Sequence, residues 1–337
     1  MPKRVFDKIV SKAFLIRKSF FPKKIIINFH NLKDFRSFDL GREYPEICEN
    51  ILDVKLFEEE MKWLSSFADF VSLDTLLRGK TKLDKWLIAI TFDDGYASNL
   101  SYGLPICEKF NIPMHWFITT QFVADHSNLP WWDMLLYIAK EWDSLLEFDG
   151  IQKHYSFNLG CRSEKLKFFY LLSKTFKNLS PLDSTELVKN LRNAVEPYMK
   201  LPENEMAQAS DIAHAGRSSL LQLGAHSYSH PNLTLCSDKE LEKEMKEGRR
   251  MLREWSGKKV TWFAYPFGKK KYLDKRCRQA VLDAGFQGAL ASEIGYVDSD
   301  CDNFMIPRLG IDGRWNLTTF QARVLAVDVA YHMRSNK

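Results

Sequence analysis

The stretch Trp86-Leu-Ile-Ala-Ile-Thr-Phe-Asp-Asp-Gly-Tyr96 sets an apolar run directly before two adjacent aspartates and a glycine. A short run that is apolar on both faces is typical of a strand in a parallel sheet. Sites in such sheets and barrels lie at the carboxyl ends of the strands, where Asp93 and Asp94 stand. Gly95 permits a turn that can bring both carboxylates into one pocket. The stretch therefore predicts a parallel α/β core with a candidate site at its edge, with an ordinary surface turn as the alternative.

The rest of the chain repeats this alternation of strand and helix. Short apolar runs predict strands, and segments of helical periodicity lie between them. The expected strands cover residues 25–29, 87–92, 114–119, 220–225, 260–264 and 286–290, and the expected helices cover 56–67, 100–110, 238–255, 272–284 and 317–332. This order predicts right-handed βα units around a parallel sheet or barrel over residues 25–124 and 206–333. Between 125 and 205 the alternation stops, and segments 131–142, 164–176 and 187–199 predict a helical insertion.

Composition and charge limit the class of protein. The chain has 337 residues, of which 45% are hydrophobic and 27% charged, which excludes a disordered chain and a disulfide mini-protein. The formal net charge is +5, but residues 1–24 hold eight basic side chains against one acidic side chain. The remaining residues carry 40 basic and 42 acidic side chains. We therefore expect no binding to nucleic acid.

The N-terminal segment 1–24 is basic and amphipathic. Between residues 3 and 21, apolar residues alternate with lysine and arginine at roughly helical intervals. Such a helix can lie in an anionic membrane surface, and packing on the domain is the alternative. Lys12 interrupts the apolar run, so we expect no cleaved secretory signal, and six cysteines without a C-x-x-C pair indicate reduced thiols. We expect a cytoplasmic protein, with a peripheral contact at the inner face of the cytoplasmic membrane as a possibility.

A second cluster, His226-Ser-Tyr-Ser-His230, follows the apolar run 220–225. Four-residue spacing would put both imidazoles on the same side of one helical turn. Two histidines and one carboxylate form a catalytic ligand set for zinc or a similar divalent transition metal. A pair of structural histidines is the alternative. The two clusters together predict a metal centre.

These motifs resemble those of the polysaccharide deacetylases, the NodB-homology carbohydrate esterases. The resemblance implies a distorted (β/α) barrel of the NodB-homology type, with Asp93 as catalytic base and Asp94, His226 and His230 as metal ligands. A third motif, Phe263-Ala-Tyr-Pro-Phe-Gly268, resembles a loop that lines the family's groove. By analogy, the N–H of Phe267 would stabilise the oxyanion. Two tyrosines of the matched motifs are expected at the substrate as well: Tyr96 and Tyr265.

The chain also departs from the family pattern. Ala264 stands where the usual third motif has an arginine that orients the base, and neither the Asp-x-x-Asp-Trp nor the Leu-x-His stretch follows. A permuted subset, which includes the poly-N-acetylglucosamine deacetylases, takes its general acid from an N-terminal strand. The segment Ile25-Ile-Ile-Asn-Phe-His30 resembles that strand. His30 is therefore the candidate acid, and a structural histidine is the alternative.

The insertion opens with Leu129-Pro-Trp-Trp-Asp133. Trp131 and Trp132 could stack on a sugar ring, or they could anchor the insertion in the core. The resemblance implies hydrolysis of N-acetyl groups from an N-acetylated glycan, either a bacterial surface or envelope polysaccharide or its lipid-linked precursor. Two other functions stay open: an O-acetyl esterase on a similar glycan, and a non-catalytic glycan-binding member of the family.

Overall fold

A computed structural model describes residues 23–78 and 83–327 of the chain. The strands of this part fall into one large sheet and two small pairs. In chain order they are β1 (Lys24–Phe29), β2 (Asn31–Lys33), β3 (Ile51–Asp53), β4 (Ala68–Phe70), β5 (Trp86–Phe92), β6 (Met114–Ile118), β7 (Leu145–Asp149), β8 (His154–Asn158), β9 (Leu221–Ala225), β10 (Trp262–Ala264), β11 (Gly288–Leu290) and β12 (Leu309–Gly310).

The large sheet is parallel throughout the described residues. Seven of its strands run in the order β11-β10-β9-β6-β5-β1-β12, and β4 also pairs with β5. In β1 and β5 nearly every residue is buried, as expected for strands with both faces covered. All six strands predicted from apolar runs lie in this sheet, so the predicted α/β architecture is confirmed.

Helices lie around the curled sheet. In chain order they are α1 (Asp39–Glu43), α2 (Val54–Ser65), α3 (Leu73–Arg78), α4 (Leu104–Lys109, preceded by a π-helical turn Asn99–Gly103), α5 (Thr120–Ala124), α6 (Trp131–Glu141), α7 (Arg162–Phe176), α8 (Pro181–Val195), α9 (Ala209–Ala215), α10 (Asp238–Ser256), α11 (Lys275–Asp283) and α12 (Leu317–Leu325). The described residues also contain three short 3₁₀ turns, Pro45–Ile47, Leu233–Leu235 and Lys270–Tyr272. Helix α8 begins six residues before the predicted start, because Ser180 caps it by accepting a hydrogen bond from the N–H of Asp183 at 3.1 Å.

Aromatic packing joins the sheet to α2 near the edge where the site lies. The rings of Phe29 on β1 and Phe92 on β5 are 5.5 Å apart, and Phe57 of α2 contacts both, at 5.0 and 5.5 Å. All three side chains are almost fully buried. Since Phe29 and Phe92 are register partners, this contact holds the ends of β1 and β5 level with each other. The residues after them, His30 and Asp93, leave the sheet at the same edge.

The sequence predicts a helical insertion at 125–205, but this segment is not purely helical. Besides α6, α7 and α8 it contains the antiparallel pair β7 and β8. Alternate residues of both strands are buried and exposed, which is the pattern of a half-buried sheet. Their inward residues join a second hydrophobic core with the helices of the segment, formed in part by Leu146, Phe148, Tyr155, Phe157, Phe168, Leu172, Leu187 and Leu191.

One prediction falls wholly, and another partly, outside the described residues. The amphipathic helix expected at 3–21 lies wholly outside them, and the helix expected to reach residue 332 is described only as α12. Among residues 23–78 and 83–327, no helix has the length and apolar character needed to cross a bilayer.

Candidate active site

The turn after β5 brings both aspartates into the interior. Asp93 and Asp94 are only 2% and 5% exposed. The N–H of Asp93 donates to the carbonyl of Phe29 at 2.9 Å, so the main chain just after β5 is still bonded to β1. Asp94 has φ 76° and Gly95 φ 101°, and this left-handed turn redirects the chain so that the second carboxylate also faces the pocket. The structure thus places the two side chains as predicted.

The histidine loop, residues 226–230, brings His226 and His230 together but is not a helical turn, so that expectation was wrong. His226 leaves β9 with its N–H bonded to the carbonyl of Ile118 at 3.0 Å. Ser227 and His230 then adopt φ values of 66° and 59°, and the Oγ of Ser227 accepts from the N–H of His230 at 2.9 Å. The two left-handed residues fold the loop back, which sets the imidazole centroids 4.9 Å apart.

Asp94, His226 and His230 form a buried group whose ligand atoms could hold a metal ion. Asp94 Oδ1 lies 3.5 Å from His226 Nε2 and 3.7 Å from His230 Nε2, and the three ligand atoms lie within 4.8 Å of one another. Ligands bound at about 2.0–2.1 Å in a tetrahedral zinc site are separated by about 3.4 Å. One carboxylate oxygen and two imidazole nitrogens at this spacing fit a catalytic divalent metal.

Different contacts fix the two imidazole rings. His226 Nδ1 donates to the carbonyl of Ala264 at 2.8 Å, which leaves Nε2 free to bind a metal. The ring of His230 is held by packing instead, with Trp132 at 4.8 Å and Phe267 at 4.9 Å. Burial lowers the pKa of His226, but the charges of the two aspartates outweigh it and raise this pKa. Burial, assisted by the charge of His226, lowers the pKa of His230 to about 3.

Arg308, which the sequence analysis missed, holds Asp93. Its guanidinium is fully buried and donates through Nη1 to Oδ1 at 2.8 Å and through Nη2 to Oδ2 at 2.7 Å. Its Nε donates to the carbonyl of Ala291 at 3.1 Å. The arginine interaction that Ala264 put in doubt is therefore present, supplied from the residue just before β12. Neither motif nor spacing marked Arg308, because it lies 215 residues from Asp93.

The surroundings of Asp93 keep it ionised. Asn28 donates through Nδ2 to Asp93 Oδ2 at 3.0 Å, and its Oδ1 accepts from Arg308 and from the hydroxyl of Thr91 at 2.9 and 2.7 Å. Burial raises the pKa of Asp93, but the charge and hydrogen bonds of Arg308 and the charge of His226 outweigh it, so this pKa lies well below its usual range. Burial also opposes ionisation of Asp94, whose pKa is lowered by its hydrogen bond to His226 and by the nearby histidine charges.

His30 stands at the end of β1, beside the aspartates. Its charged form acts on both carboxylates and lowers their pKa values. The backbone carbonyl of His30 accepts from Asn99 Nδ2 at 2.7 Å, which fixes the main chain there. The side-chain Nδ1 is buried and has no hydrogen-bond partner among the described residues. The structure thus brings His30 to the site edge with a free ring nitrogen.

The predicted aromatic residues divide between the pocket and the core. Trp132 contacts His230, and its Nε1 donates to the Tyr96 hydroxyl at 2.8 Å. That hydroxyl in turn donates to Asp133 at 3.0 Å, so Tyr96 is a buried part of the pocket wall. Trp131 instead stacks on Phe176 of α7, 4.9 Å away, as expected of the core alternative.

Tyr265 does not reach the pocket, so its prediction as a substrate residue was wrong. It is 1% exposed, packs on Phe263 at 5.3 Å and donates its hydroxyl to the carbonyl of Phe304 at 3.1 Å. Residues 263 and 265 share one face of extended backbone, and here that face points into the core. Phe267 does border the pocket, with φ 59°. Its N–H has no hydrogen-bond partner among the described residues.

Comparison with known proteins decides the family. The family model described as polysaccharide deacetylase matches residues 80–145 and 191–289, which include the aspartate pair, the histidine loop and the third motif. The chain belongs to the polysaccharide deacetylase family. The gap between the two matched parts, residues 146–190, lies within the insertion. A comparison with curated proteins finds no match.

Several solved structures share the fold. A de-N-acetylase from Aggregatibacter actinomycetemcomitans has a TM-score of 0.57 at 14% identity, over 89% of this chain and 98% of that one. IcaB from Ammonifex degensii gives 0.55 at 14% identity, over 91% and 97%. The Streptococcus pyogenes deacetylase PplD in complex with acetate gives 0.52 at 14% identity, over 90% and 99%. The fold is therefore the distorted (β/α) barrel of the NodB-homology type.

The candidate ligand set predicts which substitutions abolish metal binding. We expect Asp94→Ala, His226→Ala and His230→Ala each to reduce bound zinc from about one equivalent to less than a tenth, because two ligands of three hold a divalent ion poorly. Zinc content is measured by mass spectrometry after dialysis against a limiting concentration. His214→Ala, which removes an exposed histidine of α9, is the control. Full zinc content in any of the three variants would remove that residue from the set.

The Arg308 contact predicts a specific loss of stability. Arg308→Met leaves Asp93 as a buried, unpaired charge, so we expect the free energy of unfolding to fall by about 3–5 kcal/mol, measured by urea titration at pH 7. The double variant Arg308→Met/Asp93→Asn lacks that charge and should recover a large part of the loss. Arg250→Met, which removes exposed ion pairs, should change stability by less than about 1 kcal/mol. Equal losses in the single and double variants would contradict this account of Asp93.

Proposed function

We propose that this polysaccharide deacetylase family member is a metal-dependent N-deacetylase of N-acetylated amino sugars. Its substrate would be a bacterial surface or envelope polysaccharide or the lipid-linked precursor of one. The observation that carries this proposal is the division of roles between adjacent carboxylates: Asp94 faces two imidazoles, whereas Asp93 is held by Arg308. The shared fold with a de-N-acetylase supports removal of an N-linked acetyl group.

The proposed cofactor is zinc or another divalent transition metal, held by Asp94, His226 and His230. When bound, such an ion polarises the acetyl carbonyl and lowers the pKa of a coordinated water. The protein contributes three ligands, so positions remain for water and substrate, as in catalytic rather than structural zinc sites. Burial of all three ligands keeps bulk solvent from competing for the ion.

Asp93 is the proposed general base. Its low pKa keeps it ionised, and a carboxylate offers about four acceptor positions. Three are used by Arg308 and Asn28, which leaves one to take a proton from the attacking water. The bidentate contact with Arg308 also fixes the plane of the carboxylate, so the accepting position is set before the substrate binds.

His30 and Phe267 complete the proposed chemistry. The leaving amine must gain a proton, and His30, at the end of β1, has a buried Nδ1 without a hydrogen-bond partner among the described residues. His30 as a structural histidine is the alternative. The N–H of Phe267, which follows Pro266 at a left-handed turn beside His230, is proposed to donate to the oxyanion. Trp132, half-buried against His230, is proposed to form the wall on which the sugar rests.

Arg308 also bears on the non-catalytic alternative. Two departures from the family pattern favour a glycan-binding member without activity: Ala264 in place of the base-orienting arginine, and the missing Leu-x-His stretch. Because a buried guanidinium binds both oxygens of Asp93, the first departure no longer supports this alternative. The O-acetyl esterase alternative uses the same residues and is separated from N-deacetylation by its product.

The deciding experiment measures both products of hydrolysis. Zinc-loaded protein is incubated with an N-acetylglucosamine oligomer, and acetate and free amine are quantified separately. We expect one amine for each acetate, and an Asp93→Asn variant that keeps its zinc but turns over at least about a hundredfold more slowly. Asp143→Asn, an exposed aspartate, is the control. Acetate released only from O-acetylated substrates would reject N-deacetylation, and full turnover by Asp93→Asn would reject the base.

Membrane contact is a further part of the proposal. The basic, amphipathic residues 1–24 would hold the protein at the inner face of the cytoplasmic membrane, near a lipid-linked substrate. We expect the parent chain to sediment with vesicles that contain anionic lipid and to remain in solution with neutral vesicles. A variant that lacks residues 1–21 should remain in solution with both. Unchanged sedimentation of this variant would remove the membrane contact from the proposal.

A further inference from the structure

Helix α10 packs against the histidine loop through a buried carboxylate. Glu244 is 5% exposed, and no lysine, arginine or histidine of the described residues forms an ion pair with it. Its Oε2 accepts from the N–H groups of Tyr228 and Ser229 at 2.9 and 2.8 Å, and its Oε1 accepts from the hydroxyl of Ser229 at 2.6 Å. All three donors lie between the two histidines in sequence.

One turn along the same face of α10, Gly248 allows the helix to come close to this loop. A Cβ added at Gly248 would lie 2.9 Å from the carbonyl oxygen of Ser227 and 3.0 Å from its carbonyl carbon. Both neighbours are backbone atoms, so a side chain would force the loop or the helix to shift. Glycine is a poor helix former compared with alanine, and a glycine in the middle of a nineteen-residue helix therefore requires such a packing reason.

The loop itself is strained and depends on its surroundings. Ser227 and His230 both have positive φ values, which residues with a side chain adopt only when neighbouring groups enforce them. The bond from the N–H of His230 to the Oγ of Ser227 is internal to the loop. The bonds to Glu244 tie the loop's middle to helix α10, and the N–H of Gln121 on α5 donates to the carbonyl of Tyr228 at 2.8 Å.

We infer that Glu244 and Gly248 form a docking face that positions His226 and His230 as metal ligands. This inference rests on the metal centre of the proposed function. Glu244 is a positioning residue, since its contacts are with Tyr228 and Ser229 and not with the ligand atoms. Loss of the docking face would let the loop relax from its left-handed conformation and would separate the imidazoles. Groups that orient the ligands of a metal commonly change its affinity by 10–100-fold.

The test measures Co²⁺ binding to metal-free protein, by affinity and by the visible absorption spectrum of the bound ion. We expect Glu244→Ala to bind Co²⁺ at least about tenfold more weakly and with a changed spectrum. Glu244→Gln should restore the affinity to within about threefold and keep the parent spectrum, because an amide oxygen can accept the same two N–H bonds. Glu242→Ala, an exposed acid on the same helix, should match the parent.

Gly248→Ala tests the face without altering Glu244 and applies even where Glu244→Ala fails to fold. The added methyl group favours the helix but displaces the loop, so we expect unchanged helical circular dichroism together with weaker Co²⁺ binding and a changed spectrum. Parent-like affinity and spectrum in the folded variants would overturn the inference. So would a loss in Glu244→Gln as large as that in Glu244→Ala, since charge rather than loop position would then be responsible.

Failure of this inference is distinguishable from failure of the proposed function. A parent chain that binds Co²⁺ but releases no acetate from the oligomer would reject N-deacetylation, and the comparison of Co²⁺ binding among the variants would still decide the role of α10. Acetate release by the parent, with Co²⁺ binding alike in all variants, would reject only the role of Glu244 and Gly248.

Discussion

Burial of two neighbouring carboxylates is the constraint on which the site depends. An ionised group taken from water into a protein interior costs several kcal/mol unless other groups compensate, and Asp93 and Asp94 are adjacent in sequence and both buried. The structure compensates each one differently. Asp93 has a permanent cation in Arg308, whereas Asp94 faces imidazoles whose charge depends on protonation or on a bound ion. The same division makes one carboxylate a base and the other a ligand.

The parallel sheet delivers these groups to one place. Strands β1 and β5 end level with each other, and β9 ends at the same edge of the sheet, two residues beyond the level of Phe92. The residues after these three strands are His30, the aspartate pair and the histidine loop. Arg308 enters from the opposite side, next to β12, which pairs with β1. The insertion adds Trp132, which joins the pocket through His230 and the Tyr96 hydroxyl. Each of these strands and the insertion contributes one or two side chains to the site, and helix α10 holds the histidine loop.

Much of this arrangement could be predicted from local patterns, and the exceptions have physical causes. Apolar runs located the sheet strands, and short motifs located Asp94, His226 and His230. Arg308 could not be found in this way, because its role depends on a contact across the whole sheet. In β7 the alternation of Leu146 and Phe148 with polar residues is typical of a strand. The helical periodicity of the segments around it nevertheless favoured an all-helical insertion.

Other errors came from assuming the wrong local conformation. The four-residue spacing predicted a helical turn for the two histidines. In the structure, two residues with positive φ bring the imidazoles together instead, and the spacing of residues does not reveal the sign of φ. Tyr265 belongs to a matched motif, but its side chain follows the alternation of the strand before it and enters the core. A motif therefore fixed which segments meet, whereas the direction of each side chain followed from the strand that carried it.

The late position of Arg308 in the sequence affects the order in which the site can form during synthesis. Asn28 and Arg308, which hold Asp93 from two sides, are 280 residues apart. On a ribosome, the chain up to β11 can emerge with Asp93 still lacking its cation, so a dry pocket at this stage would carry an unbalanced negative charge. Closure of the barrel and completion of its electrostatics must then coincide, when β12 docks beside β1.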